Sequence, residues 1–200
     1  MTVAAMIEQY NMERPNSVED NVKKEPLISE EVELKGSPVK KTKLNEAMGT
    51  TEWTLKNGIQ VIVKQTPYEA DAINIEAVAD GGAAIFSDED YYSAQMLSSV
   101  MSMSGISKFS ASDLRKQLSG KTASAGLGVS AYEHVVTASA ALKDVETMFQ
   151  LLYLQFTAPR FSEDDFTTLM NRYNSMLANQ TSNPDFIFSQ NVQKTLYSDN

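Results

Sequence analysis

The 200 residues carry a net charge of −9, no cysteine and a single histidine, His134. These counts exclude a disulfide framework, a thiolate metal site, a cysteine nucleophile and any metal site or relay needing two histidines from this chain. The acidic balance argues against a nucleic-acid surface, which needs a basic patch, whereas 42% hydrophobic residues suffice for a core.

Met1 to Tyr10 lacks the basic flank and apolar stretch of a signal peptide. Val3–Tyr10 reads as the last turns of a helix. The segment after Tyr10 holds three prolines and dense mixed charge, poor in large apolar residues, and is expected to behave as a linker that buries no core. Leu34–Lys41 adds at most one short strand, limited by Gly36 and Pro38. Residues 1–50 carry −2 of the net charge and residues 51–200 carry −7. No stretch reaches the roughly 18 apolar residues of a membrane span.

From Thr51 the pattern changes. Trp53, Leu55, Ile59, Val61 and Val63 alternate with polar residues around Asn57-Gly58, a pair that tolerates the positive φ of a tight turn. This predicts strands over Glu52–Leu55 and Ile59–Gln65, ended by Pro67. Ala72–Ala79 alternates again as a third strand, followed by Gly81-Gly82. Ser87 before Asp88-Glu89-Asp90 predicts a helix to Ser104, stopped by Gly105. Ser110, three residues before Asp113, opens a short helix ending near Gly120. Lys121–Ala140 reads as two strands meeting near Ala131-Tyr132. Val145, Met148, Phe149, Leu152 and Phe156 form a helical stripe over Leu142–Thr157, stopped by Pro159. Ser162 opens a helix to about Gln180, and Asn183-Pro184 opens another. The order β-β-β-α-α-β-β-α-α-α predicts an α+β two-layer sandwich, a mainly antiparallel sheet with helices packed on one face.

The chemically suggestive residues have plain explanations. The two acidic runs, Asp88-Glu89-Asp90 and Glu163-Asp164-Asp165, sit where a helix start favours negative charge. His134, on a strand with no second histidine, reads as a structural or surface residue. Gly81-Gly82 and the glycines at 120, 126 and 128 lack the lysine and spacing of a phosphate loop. The methionines at 96, 101 and 103 read as core filling.

The run TEWTLKNGIQVIVKQTPYEADAINIEAVADGG nevertheless resembles the opening of a domain of the pitrilysin/insulinase-like zinc peptidases. SDEDYYSAQMLSSVMSMSG resembles that domain's first helix, and the run from Phe109 through Phe166 its strand–strand–helix section. The resemblance spans Thr51–Asn200 and rests on many weak positions in the correct order. The family's zinc motif, His-x-x-Glu-His, lies on that first helix. Counting back from Gly105 puts Met96, Ser99 and Val100 at its positions. Thioether is a poor zinc ligand, valine is none, and serine is no general base at neutral pH.

The resemblance therefore implies a non-catalytic copy of the domain, with no catalytic or metal residue in this chain. It implies the third domain, in the carboxy half, of a bacterial enzyme whose two halves share one chain. Residues 1–50 would be the end of the preceding domain plus the inter-half linker, and residues 51–200 an incomplete domain truncated at its carboxy terminus. Zinc would belong to the parent enzyme's amino-terminal half. The implied partners are the catalytic half of the same protein and, through the whole enzyme, peptide substrate, with self-association through the truncated edge. The implied place is a bacterial periplasm or cell envelope rather than the cytoplasm. The expected role is to cradle substrate, with Gly81-Gly82 and the strand edges near Lys121–Val129 as chamber walls. The alternatives are a structural subunit, like the family's inactive core-type members, and a stand-alone acidic adaptor.

Overall fold

The computed structural model describes residues 24–197. The Asn57-Gly58 turn forms as its chemistry requires. Gly58 adopts φ +92°, its N–H donates to the Leu55 carbonyl at 3.0 Å, and the Leu55 N–H donates to Ile59 at 2.9 Å. Around it run β2 (Thr50–Leu55) and β3 (Gln60–Val63), with β1 (Val39–Asn45) on the other side of β2. The three make an antiparallel sheet in the order β1-β2-β3. The strand expected from Leu34 starts only at Val39. Pro38 has no N–H for a ladder, and its carbonyl instead accepts the Lys56 N–H at 2.9 Å. Across the β1–β2 pair, Glu52 accepts from the Asn45 amide and the Lys43 ammonium, each at 3.2 Å. These two bonds, the Asn45 one foremost, hold the Glu52 carboxyl below the usual carboxylate range.

The second sheet comprises β4 (Ala72–Asp80), β5 (Ala123–Val129) and β6 (Glu133–Ala141), in the order β4-β6-β5, also antiparallel. The strands thus form two three-stranded sheets. Between them, Lys64–Asp71 contains Pro67 and enters no ladder. The helices are α1 (Asp88–Ser104), α2 (Ala111–Gln117), α3 (Val145–Thr157), α4 (Glu163–Gln180) and α5 (Pro184–Tyr197). Pairing register puts Ile73, Ala140 and Ala123 in one row and Ile75, Ala138 and Ala125 in the next. These six side chains share a face of the sheet, since strand side chains alternate. They pack against Met148 and Val145 of α3, Met148 being fully buried. The opposite face carries Asn74, Glu76, Ser124, Thr137 and Ser139, all exposed. The fold is α+β, with α3 packed on the apolar face of the second sheet.

The other core corrects an expectation. The charged segment before Val39 does bury apolar surface. Leu27 is only 9% exposed and packs with Ile106, Phe109, Leu151 and Leu154, with Ile28, Leu114 and Leu118 alongside. Its flanks are tied down too. The Lys24 ammonium donates to the Ser119 carbonyl at 2.9 Å, the Glu25 N–H donates to the Gln117 side-chain oxygen at 3.1 Å, and Glu25 pairs with Lys108. Composition made this stretch look unanchored, but one adjacent apolar pair is enough to dock a strap. The helix expected over Val3–Tyr10 lies outside the described residues. On α5, Phe188 and Leu196 are exposed by more than two thirds.

Candidate functional site

The acidic runs do structural work. Ser87, Ser110 and Ser162 accept the backbone N–H of Asp90, Asp113 and Asp165 at 3.3, 3.2 and 3.3 Å. Each serine satisfies one amide that a helix start leaves without a partner, and the carboxylates in the same turns face the positive end of the helix dipole.

Met96, Ser99 and Val100 fall on α1, all half-buried. Spaced i, i+3 and i+4, they share one side of the helix. A thioether, a hydroxyl and an isopropyl group do not make a zinc site, and among the described residues no three His, Cys, Asp or Glu side chains cluster to hold a metal. The residues do not fit the ion.

His134 sits on β6, opposite Val129 of β5 and Ala79 of β4. Its ring lies against Gly81, where an added Cβ would come within 2.8 Å of Nε2. Gly82 is held at φ +65°, and a Cβ there would meet the Glu133 nitrogen at 2.4 Å and the Ser130 carbonyl oxygen at 2.6 Å. Three backbone bonds stitch this stretch to the β5–β6 turn. Gly81 donates to Tyr132 at 2.8 Å, Ala83 to Ser130 at 2.7 Å and Ala84 to Ala131 at 2.8 Å. The glycines allow two backbones to touch, and His134 packs on that junction.

Of the four outer strands, β1, β3, β4 and β5, β5 is the longest without a charged residue. Ser130 donates to the Glu133 carbonyl and Ala141 to the Thr122 carbonyl, both at 2.9 Å. Bonded pairs recur every second residue in an antiparallel ladder, so the even positions from 122 to 130 bond to β6. The N–H and C=O groups of Ala123, Ala125, Leu127 and Val129 therefore point away from the sheet, with no backbone partner among the described residues. The strand is regular over seven residues, ASAGLGV, with no charge and no proline. The contrast with β1 is physical. That edge carries Lys40, Lys41 and Lys43 and a register irregularity between Val39 and Lys41, devices that discourage another strand from adding. α1, with Met96, Ser99 and Val100, packs beside β5. One outward group of β5 is occupied. The Gln155 amide, from α3, donates to the Ala125 carbonyl at 3.3 Å. The sequence points to the edge near Lys121–Val129 but not to Gln155, thirty residues on, because no local pattern links a helix glutamine to a distant carbonyl.

No family model matches the chain. Over 153 residues it is 25% identical to the probable zinc protease PqqL of Escherichia coli (strain K12), a stretch that is 76% of this chain and 16% of that protein. The crystal structure of the periplasmic protease PqqL from Escherichia coli superposes with a TM-score of 0.70 at 22% identity, covering 100% of this chain and 22% of that one. The ferredoxin protease FusC, solved as its E83A mutant in complex with Arabidopsis ferredoxin, gives 0.67 at 19% identity, covering 96% of this chain and 21% of that one. The chain spans about a fifth of the length of the relatives it matches.

Proposed function

We propose that the chain, similar over 76% of its length to part of the probable zinc protease PqqL, is a non-catalytic region of an insulinase-like zinc protease, holding peptide substrate in extended form along the outer edge of β5. The observation that carries this reading is the edge itself. It is a regular, uncharged row of outward N–H and C=O groups, and α1 lies beside it with non-ligating residues where the family's zinc motif would stand. An extended peptide binds such an edge as an added strand, its backbone taking the free donors and acceptors. Hydrolysis needs a zinc-bound water and a general base. Both would come from the catalytic half of the same enzyme.

The relatives set the remaining terms. PqqL is described as periplasmic, and FusC was solved with a protein bound. A periplasmic or cell-envelope enzyme that takes a polypeptide substrate is the corresponding reading here. On this proposal the purified chain hydrolyses no peptide, with or without added zinc. It does bind an extended peptide, and N-methylation of alternate residues, which removes the donors of one edge, weakens that binding. Peptide hydrolysis by the chain alone, abolished by a chelator, would overturn the proposal.

A further inference from the structure

We infer that Gln155 sets the register and length of the peptide that β5 accepts, an inference resting on the reading of β5 as the substrate-holding edge. Each outward residue of an edge strand offers an incoming antiparallel strand one donor and one acceptor, and consecutive outward residues repeat this two positions apart. On β5 these residues are Ala123, Ala125, Leu127 and Val129. The Gln155 side chain, partly buried on α3, takes the Ala125 carbonyl at 3.3 Å. A peptide strand that reached Ala125 would have to compete with the glutamine amide for that carbonyl. Beyond it a single outward residue, Ala123, remains, since Thr122 faces inward, its carbonyl accepting from Ala141 and its N–H donating to the Asp144 carboxylate at 2.8 Å. The ladder open to substrate is therefore Leu127–Val129, enough for about four peptide residues. That stretch leads into the turn pinned by Gly81-Gly82.

The same contact protects the chain. Two copies of β5 laid antiparallel about Gly126 would bring every outward residue opposite another outward residue, Ala125 against Leu127 of the second copy. Such uncharged, regular edges pair with one another unless blocked. Gln155 removes one bond at each of two symmetric places in that pairing while leaving the Leu127–Val129 half free for peptide. A glutamine suits this role because it donates one hydrogen bond without placing a buried charge.

The test compares the native chain with Gln155→Ala, and with Gln155→Met, which keeps most of the side-chain volume but cannot donate. The probes are lysine-capped Thr-Val repeats of four and eight residues, plus the eight-residue peptide N-methylated at alternate positions. The native chain is expected to bind both unmethylated lengths equally well. In both variants the eight-residue peptide gains about three- to tenfold in affinity, the worth of a recovered hydrogen bond, while the four-residue peptide is unchanged. Equal affinities for the two lengths in folded variants, with N-methylation still weakening binding, overturn the role of Gln155 and leave the edge reading intact. Binding by the native chain that ignores N-methylation, or no binding at all, overturns the edge reading itself.

Discussion

Truncating Leu27 to alanine tests whether the segment before β1 is a docked strap. Leu27 is 9% exposed, enclosed by Ile106, Phe109, Leu151 and Leu154. The substitution removes roughly three methylene-sized groups, each worth about 0.8 kcal/mol when buried. A rigid cavity would raise the cost toward the upper part of the roughly 2–5 kcal/mol range for core leucines. The strap lies at the end of the described chain, held by the Lys24 and Glu25 contacts, and can settle inward. The expected loss is therefore about 2–3 kcal/mol, a fall in Tm of roughly 4–12 °C for a chain of this size. Urea unfolding followed by circular dichroism measures it as a lower midpoint at unchanged slope. Leu34→Ala is the control: that side chain is 56% exposed and should change stability by less than about 0.5 kcal/mol. If Leu27→Ala matches this control, the strap contributes no burial and the reasoning fails.

Gly82→Ala forces a Cβ to 2.4 Å from the Glu133 nitrogen at a backbone φ of +65°. It should cost more than about 1 kcal/mol, and an unchanged Tm would contradict the close approach. Glu52→Gln tests the staple across β1 and β2. Because the folded carboxyl titrates below its ordinary value, its stabilisation is present above about 4.5 and fades as pH falls through the lower folded value. The stability difference between native chain and variant should therefore shrink on acidification below pH 4.5 and stay constant above it. A difference that grew on acidification would refute the assignment.

Much of the fold was legible because it rests on local chemistry. Asn57-Gly58 forced a turn, alternation of Ile73 and Ile75 with Asn74 and Glu76 marked β4, and the serines at 87, 110 and 162 marked three helix starts to within a residue. The resemblance carried by residues 51–200 agrees with the PqqL-like fold. What stayed hidden depends on contacts distant in sequence. Leu27 stands with Ile28 in an otherwise charged stretch, and its buried partners lie some 80 to 130 positions later. The steric reason for glycine at 82 was hidden as well, because it lies in the approach of the Ser130–Glu133 backbone. The division into two sheets follows from pairing that Pro67 interrupts, and the outward parity of β5 follows from which residues bond to β6. Neither register nor Gln155's reach to Ala125 is encoded in any window of a few residues.

The claim that β5 holds extended peptide is tested most directly by residue-resolved amide hydrogen exchange of the native chain, with and without excess extended peptide. The inward amides of Gly126 and Gly128 bond to β6 and should exchange slowly in both states. The outward amides of Leu127 and Val129 should exchange quickly in the free chain and slow markedly when peptide is added. Peptide binding that leaves Leu127 and Val129 unprotected, or that instead protects the outer edge of β4 at Asn74, Glu76 and Val78, would contradict the account.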